Sequence, residues 1–140
     1  MGSEMCIRDR LLTAIKGGVP NEKIVFHGNN KSDKELEFAV RNNIKVIVDN
    51  DYDLERLDAI SNSFNHDIDI MVRFTPGIEC HTHEYIRTGS FDSKFGFGIE
   101  YLNILFNRIS NTKHLKLKGL HAHIGSQIFE LDPHLSLIHI

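Results

Sequence analysis

"IKVIVDNDYDLERLDAISNSFNHDIDIMVRFTPG", residues 44 to 77, sets the architecture of this chain. It opens on a short apolar run, Ile44 to Asn50, rich in β-branched residues, which reads as a buried strand. The period then changes. Leu54, Leu57, Ile60 and Phe64 recur at three- and four-residue steps, one face of an amphipathic helix. A second strand, 68 to 77, follows. Two nearly continuous apolar strands joined by a helix form a parallel crossover unit, because parallel neighbours need a long covering connection.

The same alternation extends outward in both directions. Upstream lies a β-branched run, "KIVFHG" (23–28), and then "KSDKELEFAVRNN", which places Leu36, Ala39 and Val40 on one helical face. Ser32 and Glu35 have the spacing of a capping box, hydroxyl and carboxylate each accepting from a free backbone N–H. Downstream, a loop from Pro76 to Gly98 holds Gly77, Gly89, Gly96 and Gly98, which break any long helix and place it on the surface. The helix "GIEYLNILFNRIS" then offers Ile99, Leu102, Phe106 and Ile109 as its buried stripe, and "LKLKGLHAH" is a fourth strand.

The class is therefore α/β, with about four parallel strands and intervening helices. No GxGxxG or GxxxxGK[ST] follows any strand, so a nucleotide fold has no support. Polar residues instead gather at successive strand ends: His27, Asn29 and Asn30, then Asp49, then Arg73, then His121 and His123. Active sites of (β/α)8 barrels are built in that way, from the C-terminal ends of several strands. A complete barrel takes about 250 residues, so this chain is expected to be a partial (β/α)8 barrel.

The 140 residues are 41% hydrophobic and 25% charged, with a net charge of −3, which suits a soluble domain and argues against a nucleic acid or an anionic membrane as partner. A small molecule is the expected ligand. Cys6 and Cys80 stand far apart without CxxC spacing, and no run approaches the length of a membrane span, so a cytoplasmic location is expected. "MGSEMCIRDR" (1–10) follows no period, and "LSLIHI" (135–140) is an apolar stub; both resemble translated linker sequence. The barrel domain is accordingly placed at residues 11–134.

"GLHAHIGSQIF", residues 119 to 129, raises the chemical question. Residues two apart on a strand leave the same face, so His121 and His123 act together. They either grip a metal ion, with His81 and His83 completing a four-histidine zinc site of a barrel hydrolase, or flank a flat aromatic cofactor.

Three blocks carry a family resemblance: "FHGNNKSDKEL" (26–36), "PGIECHTHEYIRTGSFDSKFGFG" (76–98) and "GLHAHIGSQIFEL" (119–131). Together they resemble the diaminopimelate decarboxylases, pyridoxal-phosphate enzymes that form lysine. Ornithine and arginine decarboxylases of the wider alanine-racemase-like group share the HxHxGS and SKFG segments, whereas "HTHEYIRTG" favours the diaminopimelate branch. The resemblance implies pyridoxal 5'-phosphate as cofactor, His123 stacked on its ring, Ser126 donating to its phosphate, and no metal. His121 then becomes a packing or supporting residue. Arg73 either points toward the cofactor or pairs at the surface, and Lys94 either lies near the site mouth or is a plain loop lysine. The complete enzyme is expected to be a homodimer acting on a small amino-acid substrate.

One departure limits what this chain does alone. The family's Schiff-base lysine lies on the first barrel strand in a "YAxKAN"-like context, and none of the nine lysines here has that setting. Lys31 alone lies just past a strand end. No catalytic residue is therefore assigned, and the isolated chain is expected to be inactive.

Overall fold

The computed structural model describes residues 7–76, 95–124, 131–132 and 135–136. The elements run α1 (Ile7–Lys16), β1 (Val25–Phe26), α2 (Asp33–Arg41), β2 (Lys45–Val48), α3 (Asp51–Phe64), β3 (Ile68–Thr75), β4 (Phe97–Gly98), α4 (Leu102–Ser110) and β5 (Leu115–Ala122). All strand pairs are parallel. Four strands were expected and are present in the order β1-β2-β3-β5; the two-residue β4 is a fifth, alongside the last residues of β3. Two-residue pairing leaves no periodic signature in sequence, which is why β4 escaped it. The partial barrel of parallel strands is as expected.

The N-terminal helix crosses the boundary drawn at residue 10, running from Ile7 to Lys16. Its Leu11 joins the core, and Ala14 and Ile15 pack against it. No helix among the described residues is long and apolar enough to cross a membrane.

Local sequence explains the helix ends. Ser32 caps α2 in the full capping box, with Glu35 Oε2 accepting from the Ser32 backbone at 2.8 Å. Asn50 caps α3 through Oδ1, which accepts from the Asp53 backbone at 2.8 Å. Asn65 closes α3 in the left-handed region at φ 46°, and Asn43 follows α2 at φ 53°. Asparagine tolerates that conformation better than other residues bearing a Cβ, so each helix stops where its sequence permits a reversal.

One face of the sheet is packed beneath helices. Ile68, Ile70, Val72 and Phe74 of β3 alternate into the core with Phe26, Val46 and Val48, and Leu36, Val40, Leu54, Leu57 and Leu105 cover them. Two stripe residues differ from expectation. Phe64 is exposed and lies under the Arg41 guanidinium, 4.4 Å from its ring centre. Ile99 sits exposed in a 3-10 turn before α4, so Leu105, fully buried, takes its place in the stripe.

A bulge controls β5. Ile70 pairs with Leu117 but Met71 pairs with Gly119, so Lys118 is the extra residue. The phase of the strand shifts there. Leu117 and Leu120, three apart, share the helix-side face, and His121 pairs with Arg73 on the opposite, inner face.

Lys31, the one fully buried lysine among the described residues, pairs with Asp53 in the first turn of α3 at 2.5 Å. It tethers the loop after β1 to a neighbouring helix. Removing one member strands a buried charge, so Asp53→Ala should lower the unfolding free energy by about 3–5 kcal/mol. The apolar double replacement Lys31→Met with Asp53→Leu should recover most of that loss. Urea denaturation of the three proteins checks the order, and a double variant no better than the single one would contradict it.

Candidate functional site

The inner face of the sheet carries the chemistry. Asp49 follows β2 directly, and Val48 pairs with Val72, so the Asp49 carboxylate arrives beside Arg73. Arg73 is 7% exposed and Asp49 2%, and Nη1 donates to Oδ1 at 3.1 Å. The same Nη1 lies 3.1 Å from His27 Nε2, one residue past β1. The guanidinium also stacks over Phe95, 5.0 Å from the ring centre.

Backbone contacts lock the segment that carries Phe95. Its carbonyl accepts from Thr75 Oγ1 at 2.7 Å, and the Gly96 N–H donates to the Asp49 carbonyl at 3.1 Å. Gly96 adopts φ +80°, and a Cβ there would stand 3.1 Å from the Arg73 carbonyl oxygen. Only glycine fits both the dihedral angle and the approach.

The rings of His27 and His121 meet at 5.0 Å between centres, tilted by 44°. β1 and β5 are separated by β2 and β3. Three strand steps of about 4.8 Å span about 14 Å on a flat sheet, so rings that touch have converged over a concave surface. This is the inner wall of a barrel.

Arg73 donates, so Nε2 of His27 must accept, and the ring is neutral with its proton on Nδ1. Burial first, and then the Arg73 charge, hold the His27 pKa below its ordinary value. His121 is lowered as well, by burial and then by His27 and Arg73. Both imidazoles are thereby kept uncharged beside one permanent cation. Two buried polar atoms have no partner among the described residues: Asp49 Oδ2 and His121 Nδ1. An unmet buried polar atom of this kind costs about 1–3 kcal/mol, so the concave face is suited to a polar group that meets them.

Of the residues singled out in sequence, Arg73 and His121 are brought together, and Arg73 points inward rather than pairing at the surface. His123, half-buried, directly follows β5. Ser126, Lys94, His81 and His83 lie outside the described residues, as does most of the glycine-containing loop; its ends, Pro76 and Phe95, are both at the C-terminal end of β3. Among the described residues no three metal-ligating side chains gather. Lys31 is turned away to Asp53 and offers no free amine. His27 and Asp49 were legible as strand-end polar residues, but their contact with Arg73 was not, because nothing local links positions 27, 49 and 73.

The profile of the family described as "Pyridoxal-dependent decarboxylase, pyridoxal binding domain" matches residues 4–139. Diaminopimelate decarboxylase of Synechocystis is 54% identical over 116 residues, 83% of this chain and 25% of that protein. Diaminopimelate decarboxylase of Helicobacter pylori, solved in complex with L-lysine, superposes with a TM-score of 0.85 at 34% identity, over 91% of this chain and 32% of that one. Alanine racemase of Clostridium difficile shares the fold, with a TM-score of 0.67 at 14% identity over 95% of this chain and 32% of that one. The chain thus spans 25% of the length of the Synechocystis relative.

The histidine pair generates a pH prediction. Both folded pKa values lie below the 6.5 of an ordinary histidine, so the unfolded chain binds more protons in the interval between them. Stability should be full above pH 6.5 and should fall as the pH drops through the lowered values. Asp49→Ala should cost about 3–5 kcal/mol at pH 7.5, since it strands the buried guanidinium. Urea midpoints at pH 7.5 and 5.5 measure both, and stability that rises on acidification across that interval would contradict the neutral pair.

Proposed function

Because the chain belongs to the pyridoxal-dependent decarboxylases, through their pyridoxal-binding domain, we propose that it is the barrel segment of an enzyme that converts meso-2,6-diaminopimelate to L-lysine and CO2. The single observation that carries the reading is the concave cluster of His27, Asp49, Arg73 and His121 at the strand ends, where barrels build their sites. The 54% identity to a diaminopimelate decarboxylase supports the choice of substrate over ornithine or arginine.

In this reading His123 lies against the face of the pyridine ring, and Ser126, just past Gly125, donates to the phosphate. Bound pyridoxal phosphate supplies a sink for the electron pair left when CO2 departs. The chain's own residues prepare its bed. Asp49 holds Arg73 in place, so one fixed cation faces the cofactor side of the sheet. His27 and His121 stay neutral, which keeps further positive charge out of the site. The orphaned Asp49 Oδ2 and His121 Nδ1 suit a polar ligand in that bed. Lys94, close to Phe95 in sequence, belongs to the mouth. The family lysine that anchors the cofactor has no counterpart among the nine lysines of this chain, so the activity belongs to the complete enzyme. By the same resemblance, that enzyme is a cytoplasmic homodimer.

Exchanging residues 11–124 for the matching segment of the Synechocystis enzyme tests the reading. The exchanged enzyme should support growth of a bacterial strain that lacks its own diaminopimelate decarboxylase, without added lysine. His123→Ala in it should weaken pyridoxal phosphate binding about 2- to 12-fold, the equivalent of about 0.5–1.5 kcal/mol of ring stacking, and His121→Ala should do less. Failure to grow despite a folded, cofactor-loaded protein would count against this substrate. Activity lost to a chelator and recovered with zinc would favour a metal site at the paired histidines.

A further inference from the structure

The reaction proposed above uses His123 and asks of His27 only that it stay neutral. Its position is unusual. β1 pairs only with β2, yet His27 touches residues of β3 and β5. Arg73 Nη1 carries two hydrogens; one goes to Asp49 Oδ1 and the other to His27 Nε2, each at 3.1 Å. The His27 residue is otherwise exposed, and its ring lies against that of His121, 5.0 Å between centres. A single side chain therefore takes the second hydrogen of Arg73 Nη1 and touches the strand that leads to His123.

We propose that His27 is a positioning residue of the cofactor site: its uncharged imidazole, accepting from Arg73 and packed against His121, sets the angle at which β5 presents His123 to the pyridine ring. The inference rests on the proposed function, since it assigns His27 a part in the same site.

The geometry demands the uncharged form. A second ring proton at Nε2 would face the Arg73 N–H and add a cation to a cation. The groups around His27 are Arg73 from β3, Asp49 after β2, Lys31 in the loop beyond β1, His121 on β5 and His123 just past it. Only Asp49 favours a charged ring, and its bonded oxygen is already engaged by Arg73. Acid should therefore detach His27 from Arg73, release the His121 ring, and loosen the hold on the cofactor.

Two measurements test this. In the 140-residue chain, imidazole nitrogen chemical shifts should show His27 at pH 7 as the neutral tautomer with its proton on Nδ1. A charged ring, or a proton on Nε2, would overturn the proposal. In the exchanged Synechocystis enzyme, pyridoxal phosphate affinity should fall as the pH drops below 6.5. His27→Gln, whose amide oxygen accepts from Arg73 without titrating, should keep near-native affinity through that interval. His27→Ala should bind several-fold more weakly at every pH. Gln and Ala behaving alike, or an acid loss unchanged in His27→Gln, would overturn the positioning role while leaving the function intact. An exchanged enzyme with its native His27 that binds no pyridoxal phosphate at any pH would instead overturn the reading beneath the proposal, and the proposal with it.

Discussion

A guanidinium buried to 7% exposure is tolerated only where its charge and its donors are met, and Arg73 makes that demand on most of the inner face. Asp49 supplies the charge, His27 a second acceptor, and Phe95 a π-face. Each partner comes from the end of a different strand or from the segment that leads into β4. The requirement draws those strand ends together, and with them the ring of His121. Satisfying one side chain thus gives the sheet its concavity and the site its shape.

The first turn of α3 anchors the other side of the structure. Asn50 caps it, Asp53 takes Lys31 from the loop beyond β1, and Asp51 accepts from Arg108 of α4. Both the first turn of α3 and the loop that bears Asn29 and Asn30 stand at the C-terminal end of the strands. A buried ion pair ties the two together, whereas Arg108 and Asp51, being partly open to solvent, add less to the folding energy. Polar residues beside the strand ends here serve stability.

Much of this was legible from local pattern. Leu36, Ala39 and Val40 faced the core as their spacing required, Ser32 and Glu35 formed their box, and the strands took parallel partners in the expected order. Where the pattern misled, the reason was local too. Phe64 lies in the last turn of α3 and found Arg41 instead of the core, and Ile99 precedes α4 in a 3-10 turn whose side chains follow a different period. Lys31 read as a possible site residue because it follows a strand; its actual partner lies 22 residues further along, beyond the reach of any local rule.

The sequence alone determined that the strands are parallel and helix-covered, and that His121 and His123 share one face, because periods of 3.6 and 2 follow from backbone geometry. It did not determine which face. That was decided by the bulge at Lys118, which moves β5 by one residue against β3 and swings His121 to the side of Arg73. Whether His27, Asp49 and Arg73 meet was likewise a matter of tertiary structure, since each lies on or just past a separate strand and only the assembled sheet brings their side chains within hydrogen-bonding distance. Chain-local periodicity encodes orientation along an element; register and curvature arise from pairing between elements, and the site is built from those two.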